Sequence, residues 1–106
     1  MPTFHQTLEA ALDDAHLPRE LLEVRIFGSA RREADPEDID LLLVYEDGHA
    51  AEAMRTIAAT VRQRLEPRLD RPLDLLLLSR SEVDQTQFDV LEDAQLVWHR
   101  SETVTA

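Results

Sequence analysis

The sequence predicts one α/β domain, a single sheet with helices packed against it. Three observations carry this reading. The apolar period alternates along the chain between about 3.6 and 2, which gives helix, strand, short helix, strand, helix, strand, helix and a small last strand. A chain of 106 residues suits one cored unit, residues 1–106. Its 43% apolar and 31% charged residues describe a chain that folds, not an acidic disordered tail.

Phe4, Leu8, Ala11, Leu12 and Ala15 recur at helical spacing. Thr3 is the N-cap and Pro18 ends the run. Leu22 to Phe27 follows as a strand, with Val24 and Ile26 on one face, and Gly28-Ser29 breaks it. Ala30 to Glu37 is polar and leaves room for a turn or two of helix. Ile39 to Tyr45 is the clearest strand, closed by the turn signal Glu46-Asp47-Gly48. From Ala50 to Leu65 the period returns to helical, with Met54, Ile57, Ala58, Val61 and Leu65 in one stripe. Arg55, Arg62 and Arg64 fall on the solvated side. Pro67 and Pro72 bracket a connector before a strand from Leu73 to Leu78. Ser79-Arg80-Ser81 caps a last helix over Glu82 to Asp93. Gln95 to His99 forms a small strand, and the tail from Ser101 is expected to fray.

Composition excludes several kinds of function. The chain has no cysteine, which removes disulfides, thiolate metal sites and thiol nucleophiles. It has no lysine, so Schiff-base chemistry and a P-loop lysine are absent. The longest aliphatic run is four residues, Leu41 to Val44, far short of the roughly 20 needed to span a bilayer. The N-terminus lacks the form of a signal peptide, which makes the cytoplasm the expected location. A net charge of −11 argues against nucleic acid or an anionic membrane as a broadly gripped partner, and suits a site that collects divalent cations. The histidines, His5, His16, His49 and His99, have no metal-ligand spacing.

The informative feature is Asp38-Ile39-Asp40 running straight into Leu41-Leu42-Leu43-Val44. In a strand, residues i and i+2 share a face, so Asp38 and Asp40 present two carboxylates side by side. Asp74 occupies a similar apolar frame, Leu73-Asp74-Leu75-Leu76. An aspartate in such a strand is costly unless paired, hydrogen-bonded or neutralised by metal. If the two strands are neighbours, three carboxylates converge. Magnesium favours such hard oxygen ligands, and two ions about 3.5–4 Å apart clamp both oxygens of an in-line phosphoryl displacement. The residues alone leave another arrangement open: Asp38 capping its strand, Asp40 meeting an arginine, and Asp74 facing water on an edge. Gly28 at a strand end lets backbone amides approach a phosphate, while Ser29 adds a hydroxyl and Arg31 or Arg32 a positive charge.

Together these residues carry a resemblance. Ile26-Phe27-Gly28-Ser29, then Asp38-Ile39-Asp40-Leu41-Leu42-Leu43-Val44, and later Leu73-Asp74-Leu75 resemble the minimal nucleotidyltransferases of the DNA polymerase β superfamily. The similarity spans residues 22 to 79. The segment between Gly28-Ser29 and Asp38 is shorter than in many relatives. The resemblance implies a single palm domain, α+β in character, with a mixed sheet of three or four strands flanked by helices. It implies that Asp38, Asp40 and Asp74 are catalytic and bind two Mg2+ ions. It further implies that Gly28 and Ser29 bind the phosphates of ATP or another NTP, to which Arg31 or Arg32 is expected to add charge.

Only 28 residues follow Leu78, too few for the helical domain with which larger relatives grip base and acceptor. The resemblance supplies a candidate for the missing half: such proteins pair with HEPN-domain toxins and, as antitoxins, attach AMP to a hydroxyl of the partner. Two alternatives stand beside this one. The chain is a binding module that neutralises a basic partner by occlusion, or a small-molecule adenylyltransferase completed by formation of a homo-oligomer.

Overall fold

Ile39-Asp40-Leu41-Leu42-Leu43-Val44-Tyr45 forms β2 (Ile39–Tyr45), whose apolar side chains are buried on both faces. A strand buried twice over belongs inside a sheet and not at its edge. Around it the computed structural model, which describes residues 3–100, places β1 (Leu21–Phe27), β3 (Leu73–Ser79) and β4 (Gln95–His99) in the order β3-β2-β1-β4. β1 is antiparallel to both β2 and β4, and β3 is parallel to β2. The sheet is thus mixed and four-stranded, as expected. A parallel pair needs a crossover, and α3 (Ala51–Leu69) provides it.

The two faces of the sheet are covered unequally. Val24, Ile26, Ile39, Leu41 and Leu43 point toward α1 (Phe4–Asp14) and α3, where Leu8, Leu12, Ile57, Val61 and Leu65 complete the main core. On the other face Leu42 and Val44 meet Val83, with Phe27, Leu76, Leu78 and Phe88 partly buried around them. Among the described residues only α4 (Arg80–Thr86) and the single turn α5 (Phe88–Leu91) supply this second layer. A polar chain helps to fasten it. Glu23 accepts hydrogen bonds from Arg80 of α4 and from Arg25 (2.9 Å), and Arg25 donates to the Ala94 carbonyl at 3.0 Å.

The expected elements form, with two corrections. Thr3 caps α1 in a reciprocal box with Gln6, and Ser79 caps α4 in the same way with Glu82. The helix expected to stop near Leu65 continues through Pro67 to Leu69. Pro67 lies in the last turn on the exposed side, where water can satisfy the carbonyl its missing N–H leaves free, and burial of Leu69 extends the stripe. The helix expected over Glu82 to Asp93 is two pieces, parted by Gln87 in the left-handed region (φ 55°). A short helix, α2 (Ser29–Arg32), fills part of the polar stretch after β1. The tail expected to fray lies outside the described residues. Among the described residues no helix is long and apolar enough to cross a membrane.

Candidate active site

Asp40 and Asp74 are register partners on the adjacent parallel strands β2 and β3. They share the thinly covered face, because Asp40 alternates with Ile39 and Leu41 of the main core, and Asp74 lies in phase with Leu76 and Leu78. Asp38 immediately precedes β2 and is exposed, as is Asp74, while Asp40 is half-buried. Burial raises the pKa of the Asp40 carboxyl, and the charges of Asp74 and Asp38 and a hydrogen bond with Asp74 push it the same way. Asp40 is therefore the carboxyl on which the charges of the other two bear. Asp40 does not meet an arginine among the described ion pairs.

The glycine corner stands directly over Asp40. Phe27, the last residue of β1, is its register partner. Gly28 follows with φ 69° and ψ −154°, a conformation open to glycine alone among ordinary residues. A Cβ placed on Gly28 would lie 2.5 Å from Asp40 Oδ2, so the absent side chain is what lets the two approach. The first amides of α2, those of Ser29 and Ala30, have no helical carbonyl behind them to bond.

Two clamps outside the expected set hold the strands that bear the acids. Arg62 of α3 donates to the Leu73 carbonyl, and the Leu73 amide donates to Glu66 Oε2 at 3.1 Å. These bonds seize the backbone of the residue just before Asp74. Arg71 pairs with Asp35, donates to the Pro36 carbonyl at 2.9 Å and lies 5.0 Å from the centre of the Phe4 ring. It thereby ties the loop entering Asp38 to the connector entering Asp74. Arg62 was expected to be merely solvated, and none of Glu66, Arg71 or Asp35 carries a sequence signal, since long-range pairs have no period.

The arginines expected at the phosphates diverge. Arg31 pairs with Asp93 at 3.2 Å, and its Nε is buried without a hydrogen-bond acceptor. Arg32 instead borders a cleft of about 610 Å3 formed with α1, the loop after α2 and the end of α3. That cleft contains none of Gly28, Asp38, Asp40 and Asp74. The structure thus brings together Gly28, Ser29 and the three aspartates, and turns Arg32 aside.

Among the described residues no three carboxylate or imidazole groups are placed closely enough together to hold a metal ion. The donor chemistry is nevertheless of the kind a hard divalent cation takes: three carboxylates, one with its pKa raised by burial and by the charges of the other two.

No family model matches the chain, and no curated protein matches it. Solved structures do. One is the toxin–antitoxin MntA-HepT, at 22% identity and a TM-score of 0.50, covering 92% of this chain and 71% of that one. A mutant of the same pair matches at 24% identity and a TM-score of 0.53, covering 88% and 70%. The chain shares the fold of these toxin–antitoxin structures. A third structure, the toxin–antitoxin with AMP-PNP, matches at 23% identity and a TM-score of 0.54, over 92% and 75%. At these identities the shared fold is what the likeness establishes.

Proposed function

We propose that the protein is a magnesium-dependent nucleotidyltransferase that moves a nucleoside monophosphate, AMP, from ATP to a hydroxyl on a HEPN-type partner protein, and so acts as an antitoxin. The observation that carries this reading is the opposition of Asp40 and Asp74 on neighbouring strands beneath the glycine corner. Solved neighbours of this fold are toxin–antitoxin complexes, and one is described with AMP-PNP, which supports both the nucleotide and the partner.

In this reading the amides at Gly28 and Ser29 and the Ser29 hydroxyl bind phosphate oxygens, and the missing Cβ leaves the Asp40 carboxylate its place beneath them. Arg31, close to the corner in the chain and paired with Asp93, adds positive charge there. Asp38, Asp40 and Asp74 would hold magnesium, which when bound offsets phosphate charge and favours the attacking alkoxide. The acceptor oxygen bonds to the α-phosphorus, the bond from that phosphorus to pyrophosphate breaks, and the hydroxyl proton is released to solvent. Arg62 and Glu66 position Asp74 for this by holding Leu73, and Arg71 does the same for the loop before Asp38.

The test is incubation of the protein with α-labelled ATP, magnesium and its HEPN-type partner. Label should appear on the partner and vanish in Asp38→Asn and Asp74→Asn. Neutralisation of the partner that survives both substitutions would replace transfer with simple occlusion, the reading in which the acids only structure the strands. Label on a small acceptor with no partner present would point to a small-molecule transferase.

A further inference from the structure

The second face of the sheet is bordered by exposed apolar side chains, a ridge on α5 and one residue of β4, that the transfer chemistry does not use. Val90 and Leu91 on α5 are 68% and 78% exposed, and Leu96 at the start of β4 is 39% exposed. Leu96 is the register partner of Arg25, so it lies on the same sheet face as Phe27 and Asp40. The ridge is joined to the carboxylates by packing: the Phe27 ring meets Phe88 of α5 edge-on at 5.2 Å, and Phe27 is the register partner of Asp40. β4 ends the sheet, and no strand among the described residues pairs with its outer edge.

Charge along α4 and α5 is mainly negative, although Arg31 pairs with Asp93 and Arg25 lies beside Leu96. Residues 82–93 contain five acids, Glu82, Asp84, Asp89, Glu92 and Asp93, and no base. Exposed aliphatic side chains inside an acidic border are suited to a partner with an apolar socket rimmed by lysine or arginine. A second copy of this chain is a poor fit, since it would bring two acidic borders face to face on molecules already at −11.

We infer that Val90, Leu91 and Leu96 form the surface on which the protein that accepts the nucleotide docks, through a basic-rimmed apolar patch of that protein. This rests on the transferase reading and deepens it. Docking there brings the acceptor to the sheet face that carries Asp40.

A photoreactive amino acid placed at position 91, and at position 59 on the exposed side of α3 as a control, tests this in cells. The protein captured from position 91 is identified by sequence, purified and titrated calorimetrically with wild type, Leu91→Glu and Ala59→Glu. The expected result is one basic protein captured from position 91 alone. Its affinity should fall about 30-fold or more in Leu91→Glu, hold in Ala59→Glu, and weaken with added salt. Capture of a second copy, capture of an acidic protein, no capture, or affinity unchanged in Leu91→Glu would each overturn the assignment. Circular dichroism and ATP binding on Leu91→Glu confirm that the variant is folded. ATP binding by wild type with no effect at Leu91 sinks the docking surface alone, whereas docking at Leu91 without ATP binding sinks the transferase reading alone.

Discussion

Gly28 and Asp40 are matched by shape: the space a Gly28 Cβ would fill is taken by Asp40 Oδ2, only 2.5 Å from that position. The backbone at Gly28 is also left-handed at φ 69°. Gly28→Ala therefore meets two obstacles at once, strain at the corner and eviction of the central carboxylate. It should cost about 1–3 kcal/mol, read as a lower denaturant midpoint, and should abolish ATP binding.

Asp40→Asn should separate stability from activity. The raised pKa of Asp40 means that its ionised form is disfavoured in the folded state, and removing that charge relieves repulsion with Asp74 and Asp38. A gain of a few tenths to about 1 kcal/mol is expected, as for like charges placed opposite one another in a sheet. Nucleotide transfer should be lost in the same variant. Paired urea titrations and labelled-ATP assays check both halves.

The fastening of α4 to β1 gives a pH dependence of defined sign. Burial alone would raise the pKa of Glu23, but the hydrogen bonds and charges of Arg80 and Arg25 outweigh it and hold the carboxyl below its ordinary value of 4.5. Glu23 thus stabilises the fold above that ordinary value, and the contribution is lost as pH falls through the lower folded value. With Arg80 partly exposed, the effect is about 1 kcal/mol. Unfolding midpoints followed from pH 6 downward, with the ordinary value of 4.5 as the onset, should fall more steeply in wild type than in Glu23→Gln.

Glu66→Ala removes the acceptor for the Leu73 amide and half of the clamp on the start of β3. A loss of about 1–2 kcal/mol in stability is expected. Because the clamp acts through Asp74, kcat should fall while the KM for ATP, set at the glycine corner, stays near wild type. Steady-state kinetics with Glu66→Gln, which retains an acceptor oxygen, should recover most of the lost rate.

The sequence displays the carboxylate pair because strand geometry has a period of two. Asp38-Ile39-Asp40 specifies a face wherever the following Leu41 to Val44 are strand, and the matching frame at Asp74 makes β3 a natural neighbour. Gly28 is legible for the same local reason, as a break directly after an apolar strand. The clamps of Arg62, Glu66 and Arg71 are not, since each joins residues whose approach depends on the completed crossover. Arg31 and Arg32 are adjacent in the chain, and a helical turn sends them to different surroundings, one to Asp93 and the other to the cleft by α1. Pro67 reads as a stop only while its exposed setting and the buried Leu69 beyond it are unknown.

Isothermal titration of wild type and Asp40→Asn with ATP, with and without magnesium, tests the central claim most directly. Wild type should release or absorb heat only when both ATP and magnesium are present, and Asp40→Asn should give none. Absence of heat in wild type with every NTP at every magnesium concentration, or undiminished binding in Asp40→Asn, would contradict the assignment of these acids to a nucleotide–metal site.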